Sequence, residues 1–134
     1  MSEIDRRRLG SAVTAEFPHA LAIYLFGSAA TGEMTDASDI DLAVLQDAPL
    51  TPEAVLSLKA RLSMAFRRDV DVVDLRRCDS VTAAQIIATG VVLAQTDARR
   101  VAEFETYAYS RYALLNEERR DIIAEIAATG RVHG

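Results

Sequence analysis

The sequence predicts an α/β domain in which helices cover a small sheet. Three observations carry this expectation. Short runs of strand character (ALAIYLF, DIDLAVL, VDVVDL and VVLAQ) recur along the chain. Between them lie longer segments whose apolar residues fall at helical spacing. The chain has 134 residues, 50% of them hydrophobic, enough to build the core of one ordinary domain.

Residues 4–17 read as a helix, because Leu9, Val13 and Phe17 are spaced four apart on one face and Pro18 ends the run. Residues 20–26 form an apolar run bounded by Pro18 and Gly27, as a buried strand would. Residues 28–32 fit one helical turn, and 33–38 a polar loop. Residues 39–45 form the second strand. Its alternation sets Ile40, Leu42 and Val44 on one face, and Asp39, Asp41, Ala43 and Leu45 on the other. Thr51 then caps a helix with Pro52 at its first position and Glu53 in its first turn. Val55, Leu58, Leu62, Ala65 and Phe66 are its apolar stripe. Residues 70–75 are a third strand, 80–89 a helix closed by Gly90, and 91–95 a fourth strand. From about Asp97 to Thr129 the pattern is one long helix or a broken pair, ending at Gly130. The chain thus divides into a domain over 1–96 and a helical extension over 97–134, which either joins the same compact unit or binds a partner.

The net charge of −5 argues against direct nucleic-acid binding, which needs clustered Lys and Arg to neutralise phosphates. Lys59 is the only lysine, and the arginines are dispersed singly, in pairs and in one triplet rather than gathered in a patch. A phosphate-bearing small molecule or a protein partner fits better. Cys78 is the only cysteine, so no internal disulfide forms. With no apolar segment of signal-peptide or membrane-spanning type, the expected location is the cytoplasm.

Asp39 and Asp41 lie two apart on a strand, so their carboxylates share a face and repel each other when both are ionised. A divalent cation resolves that conflict, and Mg²⁺ takes oxygen ligands together with substrate phosphates. Two such ions, roughly 3.5–4 Å apart, clamp the attacking and leaving oxygens of an in-line phosphoryl displacement. That arrangement calls for a third carboxylate from a neighbouring strand. Asp71 lies mid-strand between valines and is the stronger candidate; Asp69 shares its face, while Asp74 points to the other. Gly27 ends a strand and Ser28 opens a helical turn, where backbone N–H groups and a hydroxyl are offered to an anion.

The run GSAATGEMTDASDID, with Gly-Ser ten residues ahead of Asp-x-Asp, resembles the signature of the polymerase-β-type nucleotidyltransferase superfamily. The short chain with VDVVDL following looks like its minimal nucleotidyltransferase branch, the MNT antitoxins of prokaryotic toxin–antitoxin pairs. The resemblance covers most of the chain. It implies a polymerase-β-like fold, with a small mixed sheet flanked by helices and a long C-terminal helical tail. It also implies Asp39, Asp41 and Asp71 as catalytic metal ligands for two Mg²⁺ ions, and Gly27 and Ser28 as contacts to the triphosphate of ATP. The implied activity is transfer of AMP from ATP to a tyrosine of a HEPN-domain ribonuclease toxin. Relatives often carry basic residues just after Gly-Ser, where this chain has Ala29 and Thr31, so a phosphate contact is missing or comes from an arginine elsewhere. Two other functions compete: a non-catalytic antitoxin acting by occlusion, and nucleotidyl transfer to a small molecule such as an aminoglycoside.

The remaining chemistry-bearing residues read more plainly. His19 and His133 lack a second ligand at metal spacing, and Cys78 is a loop thiol. The arginine pairs read as solvated faces, though Arg67 or Arg68 could reach a phosphate. In the long helix, Val101, Phe104, Ala108, Tyr112, Leu115, Ile122 and Ile126 recur at helical spacing, flanked by Tyr107 and Tyr109. About thirty helical residues span roughly 45 Å, more than so small a domain covers, so the distal part is expected to meet a partner.

Overall fold

The computed structural model describes residues 1–32 and 38–129. Helix α1 (Glu3–Glu16) starts where the Ser2 side chain accepts a hydrogen bond from the Asp5 N–H, and turns Leu9 and Val13 inward. The Phe17 N–H bonds the Val13 carbonyl and the Ala20 N–H bonds the Phe17 carbonyl, at 2.8 and 3.1 Å. That turn consumes Ala20, so strand β1 (Ala22–Phe26) begins two residues later than the apolar run alone indicates. A single turn, α2 (Ser28–Thr31), follows. The loop expected over 33–38 lies outside the described residues, apart from Ser38.

Strand β2 (Ile40–Leu45), helix α3 (Pro52–Phe66) and strand β3 (Val70–Asp74) come next. Thr51 caps α3 as its position before Pro52 requires, its side chain accepting from the Ala54 N–H at 3.2 Å. Helix α4 (Ser80–Thr89) and strand β4 (Val91–Gln95) lead into α5 (Ala98–Thr129). Gly90 does close α4, its N–H reaching the Ile86 carbonyl at 2.7 Å, but its backbone is extended rather than left-handed. Glycine is needed there for room, because a Cβ would lie 2.5 Å from the Ile86 carbonyl oxygen and 3.2 Å from that of Leu25.

The sheet runs in the order β3-β2-β1-β4. β1 pairs antiparallel with β2 and β4, and β2 pairs parallel with β3, giving a mixed sheet. The parallel pair is possible because α3 carries the chain back between the two strands. Alternation then builds a core on each face. Ile23, Leu25, Ile40, Leu42 and Val44 meet α1 and α3 through Leu9, Val13, Leu58 and Leu62. Tyr24, Ala43 and Leu45 meet α4 and α5 through Ala83, Ile86, Val101, Phe104 and Ala108.

Helix α5 is one unbroken element of 32 residues. Its first turns belong to the second core, where Val101, Phe104 and Ala108 are buried. Arg100 and Arg76 both pair with Asp47, at 2.6 and 3.1 Å, which holds the start of α5 to the end of β2. Tyr24, 1% exposed, donates from its hydroxyl to Glu105 at 3.1 Å, and burial beside that carboxylate pushes the phenol pKa up. Beyond Leu115, Ile122 is 57% exposed and Ile123 65%, while Ile126 is partly covered. The expected stripe therefore splits, its proximal half packing on the chain's own sheet and Ile122 in the distal half facing outward.

Arg67 ends α3 at φ 54° and ψ 42°, a left-handed position where side chains other than Gly are strained. Arg67→Gly is expected to raise stability by about 0.5–1 kcal/mol, read as an increased midpoint in urea unfolding.

Candidate active site

The site is built where β1 ends and β2 and β3 begin. Gly27 follows Phe26 with φ 71° and ψ −151°, a conformation only glycine adopts readily, and caps α2. A Cβ on Gly27 would lie 3.3 Å from Asp41 Cγ and nearer still to Asp41 Oδ2. Glycine thus does two things here: it permits the turn, and it leaves space for the Asp41 carboxylate. Ser28 is the first residue of α2, and the Ala30 N–H closes the turn on the Gly27 carbonyl at 3.1 Å.

Asp41 lies inside β2, opposite Phe26 on β1 and opposite Asp71 on β3. Because β2 and β3 are parallel and in register, both carboxylates leave the same face. Asp39 sits just before β2, and the strand starts where the Ile40 N–H bonds the Asp69 carbonyl at 2.8 Å. Asp41 is half-buried, whereas Asp39 and Asp71 are exposed. Burial pushes the Asp41 pKa above the ordinary carboxylate value, and the charges of Asp71 and then Asp39 push it further.

Of the aspartates around the third strand, Asp71 alone pairs with Asp41 in register. Asp69 uses its carbonyl to start β2. Asp74, on the opposite face, accepts from the Leu50 N–H at 3.2 Å and pairs with Arg77 at 3.3 Å. Arg68, considered above for a phosphate, donates to the Ser38 carbonyl at 3.0 Å, next to Asp39.

The donor set is chemically suited to Mg²⁺: carboxylate oxygens close enough for Asp71 and Asp39 to raise the proton affinity of Asp41, at the mouth of a glycine turn. Among the described residues, no three His, Cys, Asp or Glu side chains are drawn tightly enough to enclose an ion unaided.

The groove between α4 and α5 lies elsewhere, with a volume of about 620 Å³ and a lining that includes Arg76, Phe104, Tyr107 and Arg111. Cys78 borders it; its thiol donates to the Leu75 carbonyl at 3.4 Å, and burial raises its pKa. His19 is exposed at the turn before β1, and His133 lies outside the described residues.

The family model for polymerase beta nucleotidyltransferases matches residues 11–99, which span all four strands and the Gly-Ser and Asp-x-Asp motifs. The chain belongs to the polymerase β nucleotidyltransferase family. Within this nucleotidyltransferase family, protein adenylyltransferase MntA of Shewanella oneidensis is 33% identical over 128 residues, covering 96% of this chain and 91% of that one. A crystal structure of a toxin–antitoxin with AMP-PNP contains a chain 32% identical to this nucleotidyltransferase, at a TM-score of 0.80, covering 92% of this chain and 98% of the other. A tri-AMPylated S. oneidensis HEPN toxin in complex with its MNT antitoxin gives 31% identity and a TM-score of 0.76, over 95% of this chain and 99% of the other. No described helix is long and apolar enough to cross a membrane.

Proposed function

We propose that this chain is the antitoxin of a toxin–antitoxin pair and acts as a Mg²⁺-dependent protein adenylyltransferase in the cytoplasm. Its substrate is ATP, and its acceptor is a tyrosine of a HEPN ribonuclease toxin, which the transfer of AMP neutralises. The observation that carries this reading is the placement of Asp41 between Gly27 and Asp71, in a chain one-third identical to an adenylyltransferase along nearly its whole length.

The tyrosine oxygen attacks the α-phosphorus of ATP, the bond from that phosphorus to the bridging oxygen breaks, and pyrophosphate leaves. Asp71, exposed and beside Asp41, takes the hydroxyl proton and returns it to solvent. Gly27 and Ser28 hold the triphosphate against the start of α2. Asp39, Asp41 and Asp71 would hold two Mg²⁺ ions, which supply charge neutralisation on the phosphates and a more acidic acceptor hydroxyl. Residues 1–96 form the catalytic domain. In the extension over 97–134, the first turns of α5 complete the core and the distal turns face the toxin.

ATP labelled at the α-phosphate tests the transfer. With the toxin, Mg²⁺ and this chain present, label is expected on a toxin tyrosine from α-labelled but not from γ-labelled ATP. Label from the γ-position, or none at all, would reject adenylyl transfer.

A second reading draws on the open distal half of α5, where Ile122 and Ile123 are exposed: an antitoxin that works by covering the toxin. It predicts that the Asp39→Asn, Asp41→Asn double variant neutralises the toxin fully without ATP. The transferase reading predicts at least a tenfold loss of neutralisation in that variant.

A further inference from the structure

Arg6 sits in the middle of the triplet Arg6-Arg7-Arg8 yet differs from its neighbours. Arg7 and Arg8 are exposed and pair with Glu3 and Asp5 on their own helix, each at 3.7 Å. Arg6 lies three residues before Leu9 and seven before Val13, on the side of α1 that turns inward. Among the described residues, its Nε is the one buried side-chain nitrogen or oxygen that finds no hydrogen-bond partner. A guanidinium nitrogen is rarely left so, since an unsatisfied buried donor on a charged group is costly.

The fold says where this donor lies. α1 and β1 are joined by the tight turn at 17–21 and run in opposite directions. Gly10 presses against β4, where a Cβ would stand 3.3 Å from the Leu93 carbonyl oxygen. Leu93 meets β1 at the irregularity between Ile23 and Tyr24. Arg6 is four residues nearer the start of α1, a rise of about 6 Å, and two residues of β1 advance about 6.6 Å. By this count of rises Arg6 comes level with Leu25 and Phe26, toward the end of β1 from which Gly27 and Ser28 turn. Helix side chains lean toward the helix N-terminus, which carries the guanidinium further toward that turn. Met1, just before α1, packs against the same core to which Ala29 of α2 belongs. Residues 28–32 of the turn carry no cationic side chain of their own.

We propose that Arg6 is a phosphate-binding residue of this site, meeting the β- and γ-phosphates of the nucleoside triphosphate held at Gly27 and Ser28. The assignment rests on the nucleotidyltransferase reading above. Once the side chain turns out of its buried position, a phosphate oxygen gives the donor an acceptor, and the planar guanidinium suits a two-point contact that an ammonium does not reproduce. Arg6 also places its charge on the pyrophosphate side, away from the carboxylates that face the α-phosphate.

Calorimetric titration of the full chain with ATP, and separately with AMP, in Mg²⁺ buffer tests the assignment. Arg6→Gln is expected to weaken ATP binding about ten- to a hundredfold while AMP affinity stays within about twofold. Arg6→Lys, which keeps the charge and the apolar stem, is expected to recover part of the loss. Arg7→Gln, on the exposed face, is expected to leave both affinities unchanged. ATP affinity within twofold of the parent in both Arg6 variants would overturn the proposal, and so would equal losses for ATP and AMP, the mark of a structural defect. A parent chain that takes up neither nucleotide would instead reject the nucleotide site itself.

Discussion

Replacing Asp41 with Asn is expected to stop AMP transfer, by roughly three orders of magnitude or more, while the chain stays folded and still binds its partner. Asp41 is the innermost of the three carboxylates: half-buried, in register with Asp71 and packed against Gly27. Asn keeps its shape and loses its charge, so the fold has little reason to change. The same substitution carries a thermodynamic signature that needs no activity assay. The folded-state pKa of Asp41 lies above its unfolded value, so its contribution to stability is fully present below the unfolded value of 3.8 and is lost as pH rises through the folded one. Without divalent metal, Asp41→Asn should therefore melt higher than the parent at pH 7, and the gap should narrow as the pH falls toward 3.8. Adding Mg²⁺ should raise the melting temperature of the parent and not of the variant. Thermal melts across pH, with and without Mg²⁺, read both effects. A parent that melts higher than Asp41→Asn at neutral pH without metal would contradict the strained carboxylate cluster.

The second large effect belongs to Gly27. An alanine there must adopt φ near 71° with ψ near −151° and must fit its Cβ where the Asp41 carboxylate lies. The backbone strain is about 1–3 kcal/mol, and relief requires either the turn or Asp41 to move. Gly27→Ala is expected to lower the rate of AMP transfer by roughly a hundredfold, since a misplacement of about 1 Å at a reacting centre has that consequence. It should also lower stability by about 1–3 kcal/mol, measured by urea unfolding. Undiminished transfer in this variant would mean that Gly27 is not part of the triphosphate turn.

Much of this site is legible in the sequence because strand alternation is a strict code. Once residues 39–45 read as a strand, Asp41 and Ala43 must share a face, and Asp74 must leave Asp71 for the other side. What sequence could not give was the pairing of β2 with β3. Parallel register follows from how α3 crosses between the strands, and it alone places Asp71 rather than Asp69 opposite Asp41. Ala20 and Asp39 look like strand residues yet lie outside the strands, because Ala20 closes a turn and the first ladder bond of β2 is made at Ile40. Gly90 reads as an ordinary helix end, while its actual reason, the nearness of the Ile86 and Leu25 carbonyls, is tertiary. Arg6 was hidden by its neighbours, since a run of arginines reads as a solvated face. Its spacing of three from Leu9 was the available signal that one of the three turns inward.

The most direct test of the account separates the toxin from this chain after they have reacted. The two are incubated with ATP and Mg²⁺, the complex is dissociated, and the recovered toxin is assayed for ribonuclease activity and weighed by intact mass spectrometry. Covalent neutralisation predicts an inactive toxin that is heavier by whole AMP units, and an active, unmodified toxin when Asp41→Asn replaces the parent chain. A recovered toxin of unchanged mass and full activity after treatment with the parent would contradict it.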